Sequence, residues 1–334
     1  MRAIEPRGRT DASAIRIRDL TVLYHTERGM LPALKDVNLD VRSGIITGFI
    51  GESGSGKTTL AMAMMNTIRL PGRIQRGRVE VPNVGNVLEF QGERLRRLHG
   101  QMFGFVFQAS SNSLNPLKRI GSQLLDLGRS HGLTNGRQIL ADAKALAHRM
   151  GMDADRVLTA YQHELSGGMR QRVGIIFALI LRAQVLILDE PTTALDMLSQ
   201  QAVLEIVREI HVEQGLTTVI ITHDMGVVAE MAQRVAVLYA GRVVEEGPTP
   251  EVLREPRHPY TRGLLHAIPR ITGSLEEAQP LSGSPPDLTT VPSQGCVFRD
   301  RCPLRMPVCD RVEPETRSAH GDGVVACHGV TADD

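Results

Sequence analysis

Apolar and polar residues alternate with changing period along this chain, and each change of period marks an element. Ser13-Ala-Ile-Arg-Ile-Arg-Asp-Leu20 and Val37-Asn-Leu-Asp-Val-Arg42 alternate one by one, which predicts strands with a single buried face. Ile45-Ile-Thr-Gly-Phe-Ile50, Val185-Leu-Ile-Leu188 and Thr217-Thr-Val-Ile-Ile-Thr222 are short continuous apolar runs, as expected of strands buried on both faces. Gly77-Arg-Val-Glu-Val81 and Gly104-Phe-Val-Phe-Gln108 predict two further strands. Val235-Ala-Val-Leu-Tyr239, the step Ala240-Gly241 and Arg242-Val-Val-Glu245 predict a hairpin. Helical spacing appears from Leu60 to Met65, from Ser122 to Gly128, from Gln138 to Met150, after Leu165-Ser-Gly-Gly-Met169, and from Leu198 to Gln214, where Gly215 stops it.

Strands alternating with helices, several of them ending in polar residues, predict an α/β fold. Its sheet is largely parallel, with the site along the C-terminal edge of the strands. A helical insertion occupies about 110–165. Beyond Gly247 the texture changes: Pro248, Pro250, Pro256, Pro259, Gly283-Ser-Pro-Pro286 and Pro292 punctuate a stretch with little periodicity. A domain of residues 12–247 followed by a small appendage of 248–334 is the expected organisation.

The chain has 334 residues, of which 42% are hydrophobic and 22% charged, the make-up of an ordinary globular protein. Its net charge of +1 implies no bulk attraction to nucleic acid or anionic lipid, and aromatics at 3% argue against a base-stacking surface. The polar start, Met1-Arg-Ala-Ile-Glu-Pro-Arg-Gly-Arg-Thr10, lacks the apolar core of a signal peptide. The greasiest run, Val173-Gly-Ile-Ile-Phe-Ala-Leu-Ile-Leu181, is too short to cross a bilayer and predicts a buried helix. A cytosolic location follows, with any membrane-spanning part supplied by other chains.

Gly51-Glu-Ser-Gly-Ser-Gly-Lys-Thr-Thr59 carries the chemistry. It has the P-loop pattern between a predicted strand and a predicted helix. The glycines Gly51, Gly54 and Gly56 let the backbone curl so that successive N–H groups, through Ser53 and Ser55, point at a phosphate, helped by the helix N-terminus. Lys57 can reach the outer phosphates, and the Thr58 hydroxyl can take a Mg²⁺ position. A nucleoside triphosphate is the expected ligand. Asp189 and Glu190 tip an apolar strand, the arrangement in which Asp189 holds Mg²⁺ and Glu190 polarises the attacking water. Gln108, at another strand end, can orient water or contact Mg²⁺, and His223, at yet another, can donate to a γ-phosphate; alone, Gln108 would be a loop glutamine and His223 a satisfied surface or core residue. Tyr24 can stack on a nucleobase or serve as a core tyrosine. The Ser166-Gly167-Gly168 turn opening a helix offers a second set of backbone donors to an anion. One nucleotide does not need two helix N-termini from one chain, so this turn is expected to face a nucleotide held by a partner.

The order Tyr24, Gly51 to Thr58, Gln108, Leu165 to Met169, Asp189-Glu190, Ala194-Leu-Asp196 and His223 resembles the ATP-binding subunits of ABC transporters. The resemblance implies a P-loop ATPase core with a mostly parallel sheet, an antiparallel β subdomain and a helical subdomain. It also implies roles: Tyr24 stacks on adenine, residues 51–59 wrap the phosphates, and Gln108 senses Mg²⁺ and the transmembrane partner. Ser166, Gly167 and Gly168 cap the opposing ATP, Glu190 is the general base, His223 the γ-phosphate switch, and Asp196 acts across a dimer interface. Ser113-Leu-Asn-Pro116, Tyr239-Ala-Gly-Arg-Val-Val-Glu245, His258-Pro-Tyr-Thr261 and Gly295-Cys-Val-Phe-Arg-Asp-Arg-Cys-Pro303 narrow the resemblance to the dipeptide/oligopeptide/nickel importer family. Two departures stand out. Ala109 to Asn112 lacks the acidic-Pro-Met-Thr run of the family, and Gln162 replaces the proline before His163-Glu164. Both bear on coupling to a membrane partner, not on hydrolysis.

Cys296, Cys302, Cys309 and Cys327 all fall late, separated by five, six and seventeen residues. Clustered thiols in a Pro-rich segment poor in core residues suggest a metal staple. The spacing lacks the tight knuckles of zinc sites. It suits a [4Fe–4S] cluster at least as well, zinc and unligated thiols being the alternatives. The family's tail is associated with such a cluster, which favours iron.

The expected protein is therefore an ATP hydrolase powering peptide import, with a nickel or other small-solute importer as the alternative. The expected partners are a second, related ATPase subunit, two transmembrane permeases and an extracytoplasmic solute-binding protein. It would lie peripherally on the cytoplasmic face of the cell membrane. A soluble ABC ATPase acting on DNA or ribosomes is the competing class. It usually has two cassettes or a long coiled coil, and this chain has one P-loop, no heptad run and no basic surplus.

Overall fold

The computed structural model describes residues 13–27, 29–108, 114–193, 195–267, 281, 283–285, 291, 294–319 and 321–330. The polar start, Ala109 to Ser113, Ala194, Pro286 and Pro292 lie outside the described residues. In chain order, β1 (Ser13–Thr26) and β2 (Gly29–Arg42) lead to β3 (Ile46–Ile50), α1 (Lys57–Met64), β4 (Gly72–Val81) and the short β5 (Gly85–Asn86). Next come α2 (Gly92–Gln101), β6 (Phe103–Val106), α3 (Ile120–Ser130), α4 (Gly136–Arg149), α5 (Ala154–Thr159) and α6 (Gly167–Leu179). The chain continues through β7 (Val185–Asp189), α7 (Met197–Gln214), β8 (Thr217–Ile221), α8 (Met225–Met231), β9 (Arg234–Tyr239) and β10 (Arg242–Pro248). It closes with α9 (Thr249–Arg254), α10 (Pro259–His266), β11 (Arg317–Ala319) and β12 (Gly323–Val325). The fold is α/β, with parallel and antiparallel strand pairs. No helix among the described residues is long and apolar enough to cross a membrane.

Two compact units form, and their segments interleave in sequence. One gathers Arg42–Ile45 and Glu89–Ile221; the other gathers Ser13–Val41, Ile46–Leu88 and Thr222–Asp334.

In the second of these, β2, β1, β4 and β5 make an antiparallel sheet, with β1 and β4 in register from Arg16↔Glu80 to Tyr24↔Gly72. Gly29 and Pro32, residue types that commonly mark loops, both lie in β2, and β1 runs on past Tyr24 to Thr26. Pro32 is tolerated because β2 is the edge strand of this sheet, where a missing N–H leaves no ladder bond unmade. The same unit pairs β3 with β9 in parallel, Thr47↔Arg234 to Ile50↔Val237. It also forms the predicted hairpin of β9 and β10, whose Ala240 and Gly241 take φ of 46° and 77°, the handed turn that matches strand twist. The tail then adds to this sheet: β12 pairs with β10 (Glu245↔Val325) and with β11.

In the other unit β6, β7 and β8 run parallel, with Val106↔Leu188 and Asp189↔Ile221 in register. All five residues of β7 and of β8 are buried, which accounts for their unbroken apolar sequence. Helices α3, α4 and α5 pack on one another. Ile120, Leu124, Ile139, Ala143, Ala147 and Val157 form the core there. Asn135 and Asp153 cap α4 and α5 by accepting the Gln138 and Arg156 N–H groups.

Candidate functional site

The loop after β3 is built for close approach. Gly51 has φ of 145°, and a Cβ there would run into the Leu238 carbonyl oxygen and the Ser55 hydroxyl. Only glycine fits. The Ser55 N–H donates to the Glu52 carbonyl at 3.2 Å, and the Gly241 N–H donates to the Ser55 carbonyl at 2.9 Å, which ties the loop to the β9–β10 hairpin. Gly56 is the N-cap of α1, and Lys57 is its first residue. Lys57 is buried, with Nζ donating to the carbonyls of Gly51 at 2.7 Å and Glu52 at 2.9 Å. Ser53 and Gly54 are exposed at the tip; Thr58 and Thr59 are half-buried in the first turn. A helix N-terminus behind a glycine-rich turn, with a lysine folded over the loop, is an arrangement suited to an anion. In the same unit, Tyr24 lies in β1 with its ring across Gly72, and His223 is exposed where the chain leaves β8.

The other unit brings Gln108, Asp189 and Glu190 to one sheet edge. Gln108 is exposed two residues beyond the end of β6. Asp189 ends β7, is 2% exposed, and lies one step beyond the Val106↔Leu188 pair. Glu190 turns away from the strand with φ of 49°, an uncommon conformation for a residue with a side chain. Its N–H donates to the Ile221 carbonyl at 2.9 Å, and its Oε2 accepts from the Thr193 hydroxyl at 3.0 Å.

Ser166 is the N-cap of α6, its hydroxyl accepting the Met169 N–H at 3.3 Å. Ser166 and Gly167 are exposed, and a Cβ on Gly167 would meet nothing within 4 Å. The donors at this helix start are therefore presented outward. Asp196 caps α7, accepting from the Ser199 N–H at 2.9 Å and hydroxyl at 2.7 Å, and these bonds hold its carboxyl below the usual range. Gln162 lies in a 3-10 turn, where the Glu164 carboxylate accepts the Tyr161 N–H at 2.7 Å.

The four cysteines of the tail are all among the described residues. Cys296, Cys302, Cys309 and Cys327 are free thiols. No group of three or more His, Cys, Asp or Glu among the described residues could hold a metal ion. The thiols are nevertheless neighbours: the Cys296 N–H donates to the Cys309 carbonyl at 2.8 Å. Burial, with the charge of the other three cysteines added, pushes Cys296 up to about 11. His328 is occupied elsewhere, its Nε2 2.8 Å from the Val312 carbonyl.

Sequence reasoning singled out His258-Pro-Tyr-Thr261 without giving it a role. Arg257 and His258 donate their N–H groups to the buried Glu245 carboxylate at 2.8 and 3.1 Å. The Tyr260 hydroxyl accepts the Glu52 N–H at 2.8 Å. Arg301, also unassigned from the sequence, grips the Glu52 carboxylate through two nitrogens at 2.6 and 3.0 Å.

These features agree with comparison to known proteins. Residues 34–193 match the family described as ABC transporter, and residues 244–309 match the one described as oligopeptide/dipeptide transporter, C-terminal region. The "Dipeptide transport ATP-binding protein DppD" of Caldanaerobacter subterraneus subsp. tengcongensis is 36% identical over 315 residues, covering 94% of this chain and 96% of that protein. The chain belongs to the ABC transporter ATP-binding proteins. The "Oligopeptide transport ATP-binding protein OppD" of Escherichia coli is another relative, 37% identical over 93% of this chain and 92% of its own length. Among solved structures, the dimeric MJ0796, a bacterial ABC transporter cassette, has a TM-score of 0.64 and 27% identity, covering 70% of this chain and 98% of that one. The same cassette has also been seen in a post-hydrolysis state bound to ADP and Pi. The ABC transporter match takes in the loop 51–59, Gln108, the turn 166–168 and Glu190, and ends before Asp196 and His223.

Proposed function

We propose that this ABC ATPase is the nucleotide-binding subunit of a peptide importer, hydrolysing ATP to drive uptake of di- or oligopeptides. One observation carries the reading: the similarity to peptide-transport ATP-binding proteins runs the length of the chain, including the 244–309 tail segment. An ATPase domain over 12–247, with its helical insertion at about 110–165, and a C-terminal extension over 248–334 is the organisation that goes with it.

The residues suit the chemistry. Residues 51–59 wrap the phosphates, with Lys57 on the outer ones, and Tyr24 stacks on the base. Thr58, Gln108 and Asp189 would supply the oxygen ligands for Mg²⁺; the buried carboxylate of Asp189 at a strand end suits a hard cation. Bound there, the ion would neutralise charge that builds on the transferring phosphoryl group. Glu190, steadied by Thr193, takes the proton of the attacking water, and His223 donates toward the γ-phosphate. The outward turn at 166–168 completes the site on a second, related cassette, with Asp196 beside it; the dimeric MJ0796 cassette supports that pairing. Two permease chains and an extracytoplasmic solute-binding protein complete the machine, and the ATPase sits peripherally on the cytoplasmic face of the membrane.

For the tail we infer a [4Fe–4S] cluster on Cys296, Cys302, Cys309 and Cys327. It rests on the family resemblance and on the proximity of the thiols, with no role in hydrolysis assigned to it. Iron and sulfide determination on anaerobically purified protein decides it. The transport reading is tested by uptake of a labelled dipeptide and a labelled oligopeptide in cells carrying the chain or its Glu190→Gln variant. Uptake that is lost with the variant supports it; normal uptake of both peptides without a working chain overturns it.

A further inference from the structure

Every polar group of Glu52 is engaged. Its carbonyl accepts from Lys57 Nζ at 2.9 Å and from the Ser55 N–H at 3.2 Å, both within the loop. Its N–H goes instead to Tyr260 Oη, and its carboxylate to Arg301, both far along the chain in the tail. These are not casual surface contacts. Tyr260 is 0% exposed and cannot swing, because the rings of Tyr239 and Phe298 lie 4.6 and 5.5 Å from its own. The Arg301 side chain is 7% exposed and lies 5.8 Å from the Tyr239 ring. Burial works against its charge, but the bonds to Glu52 and to Tyr239 together outweigh that and raise its pKa above the ordinary arginine value. A bidentate arginine fixes orientation as well as charge, which a lysine cannot reproduce.

Glu52 is the only acidic residue in the loop 51–59, and a triphosphate brings several negative charges to the same loop. Left alone, the Glu52 carboxylate would repel that ligand.

We infer that Arg301 and Tyr260 are positioning residues for the phosphate loop. Arg301 neutralises Glu52, and Tyr260 anchors the backbone at residue 52 so that the following N–H groups point at the phosphates. This rests on reading 51–59 as the phosphate loop. It adds that the tail is part of the nucleotide site's support. Arg301 and Phe298 both lie between Cys296 and Cys302, so whatever orders that thiol segment also orders the guanidinium.

The test is steady-state ATPase kinetics and Mg-ATP titration on the full chain. Arg301→Ala raises KM and Kd for ATP by about fivefold or more while kcat falls less than about twofold, the pattern of lost binding without lost chemistry. Arg301→Lys, which keeps the charge but not the fork, has a KM between wild type and Arg301→Ala. Tyr260→Phe raises KM by about two- to threefold through loss of one acceptor. The deciding measurement is the double variant Glu52→Gln/Arg301→Ala: removing the stranded carboxylate returns KM to within about twofold of wild type. A merely structural arginine gives no such rescue. An unchanged KM in Arg301→Ala, or a double variant as impaired as the single one, overturns the inference. Lys57→Ala separates the layers. If it binds ATP like wild type, the phosphate-loop reading itself fails; if it loses binding while Arg301→Ala does not, only the positioning role fails.

Discussion

The Thr193 hydroxyl donates to Oε2 of Glu190 at 3.0 Å, three residues along the same turn, and so helps set where the carboxylate beyond β7 points. The backbone contributes as well. Glu190 adopts φ of 49°, and its N–H is fixed to the Ile221 carbonyl. A residue held in that sparse conformation costs about 1–3 kcal/mol, which the surrounding sheet must offset. Glu190→Gln keeps the side-chain shape and loses the basicity. Its ATP turnover is expected to fall by roughly 100-fold or more while ATP affinity stays within about threefold. Turnover at the wild-type rate removes Glu190 from the base role.

Thr193→Val leaves the carboxylate in place but frees its orientation. The expected result is a fall in kcat of roughly 3- to 10-fold, at the low end of general-base effects, with KM little changed. A rise in KM with unchanged kcat would place Thr193 in ligand binding instead.

Ser166 separates stability from function. As the N-cap of α6 it accepts the Met169 N–H, and Ser166→Ala is expected to cost about 1 kcal/mol of stability, visible as a lower Tm. If the outward turn also completes a partner's nucleotide site, ATPase activity falls further and depends more steeply on protein concentration. Melting and activity measured across a dilution series tell the two apart: a lower Tm with normal concentration dependence leaves Ser166 a helix cap only.

The parts legible in the sequence were those written in local pattern. The unbroken apolar runs of β3, β7 and β8 predicted buried strands because those strands are covered on both faces. Gly215 at the end of α7 and Ala240-Gly241 in the hairpin marked turns through their backbone demands. Helix α2 was not read, since Gly92–Gln101 has only Leu95 and Leu98 as apolar positions and is laced instead by Glu93 pairs to Arg96 and Arg97. Strands β11 and β12 are three residues each, too short for a period to show, and exist because β10 offers them an edge. The tail's grip on Glu52 was invisible for a different reason. The partners lie 208 and 249 positions apart in sequence, and nothing local in Tyr260 or Arg301 announces the contact. The thiols were found as a set, but their spacing could not say how closely the folded tail would gather them.

Two buried histidines give the protein an acid limit. Burial pushes His258 down to about 3, where its Nδ1 accepts the Tyr260 N–H, and pushes His211 down to about 4, beside the Thr218 hydroxyl at 2.9 Å. Both are neutral in the fold, whereas an unfolded histidine takes up a proton near its ordinary value of 6.5. Below that pH the unfolded state binds more protons than the folded one, so stability falls as pH falls. The loss begins near 6.5 and ends near the folded values. Each histidine contributes a slope of up to about 1.4 kcal/mol per pH unit within its window. Denaturant melts between pH 7 and 4.5 are expected to show that decline, and His211→Gln to make it shallower. A flat profile across this range would mean the two rings are not buried neutral.

Phe298 tests whether the tail is an appendage or part of the body that carries the phosphate loop. Its side chain is 1% exposed, with ring centres 5.1 Å from Tyr239, 5.5 Å from Tyr260 and 5.7 Å from His258. Tyr239 ends β9, which pairs with the strand leading into the loop, and Tyr260 reaches the loop directly. Emptying that position removes the packing that holds both Tyr260 and the Arg301 segment. Phe298→Ala is expected to cost about 3–5 kcal/mol, and Phe298→Leu less because it keeps part of the volume. Because the tail and the loop belong to one compact unit, the loss should appear in the same unfolding transition that ATP protects. Calorimetry with and without Mg-ATP checks this. A variant whose ATP-protected transition stays at the wild-type temperature, while a separate small transition moves, would show the tail melting on its own and leave the loop without that support.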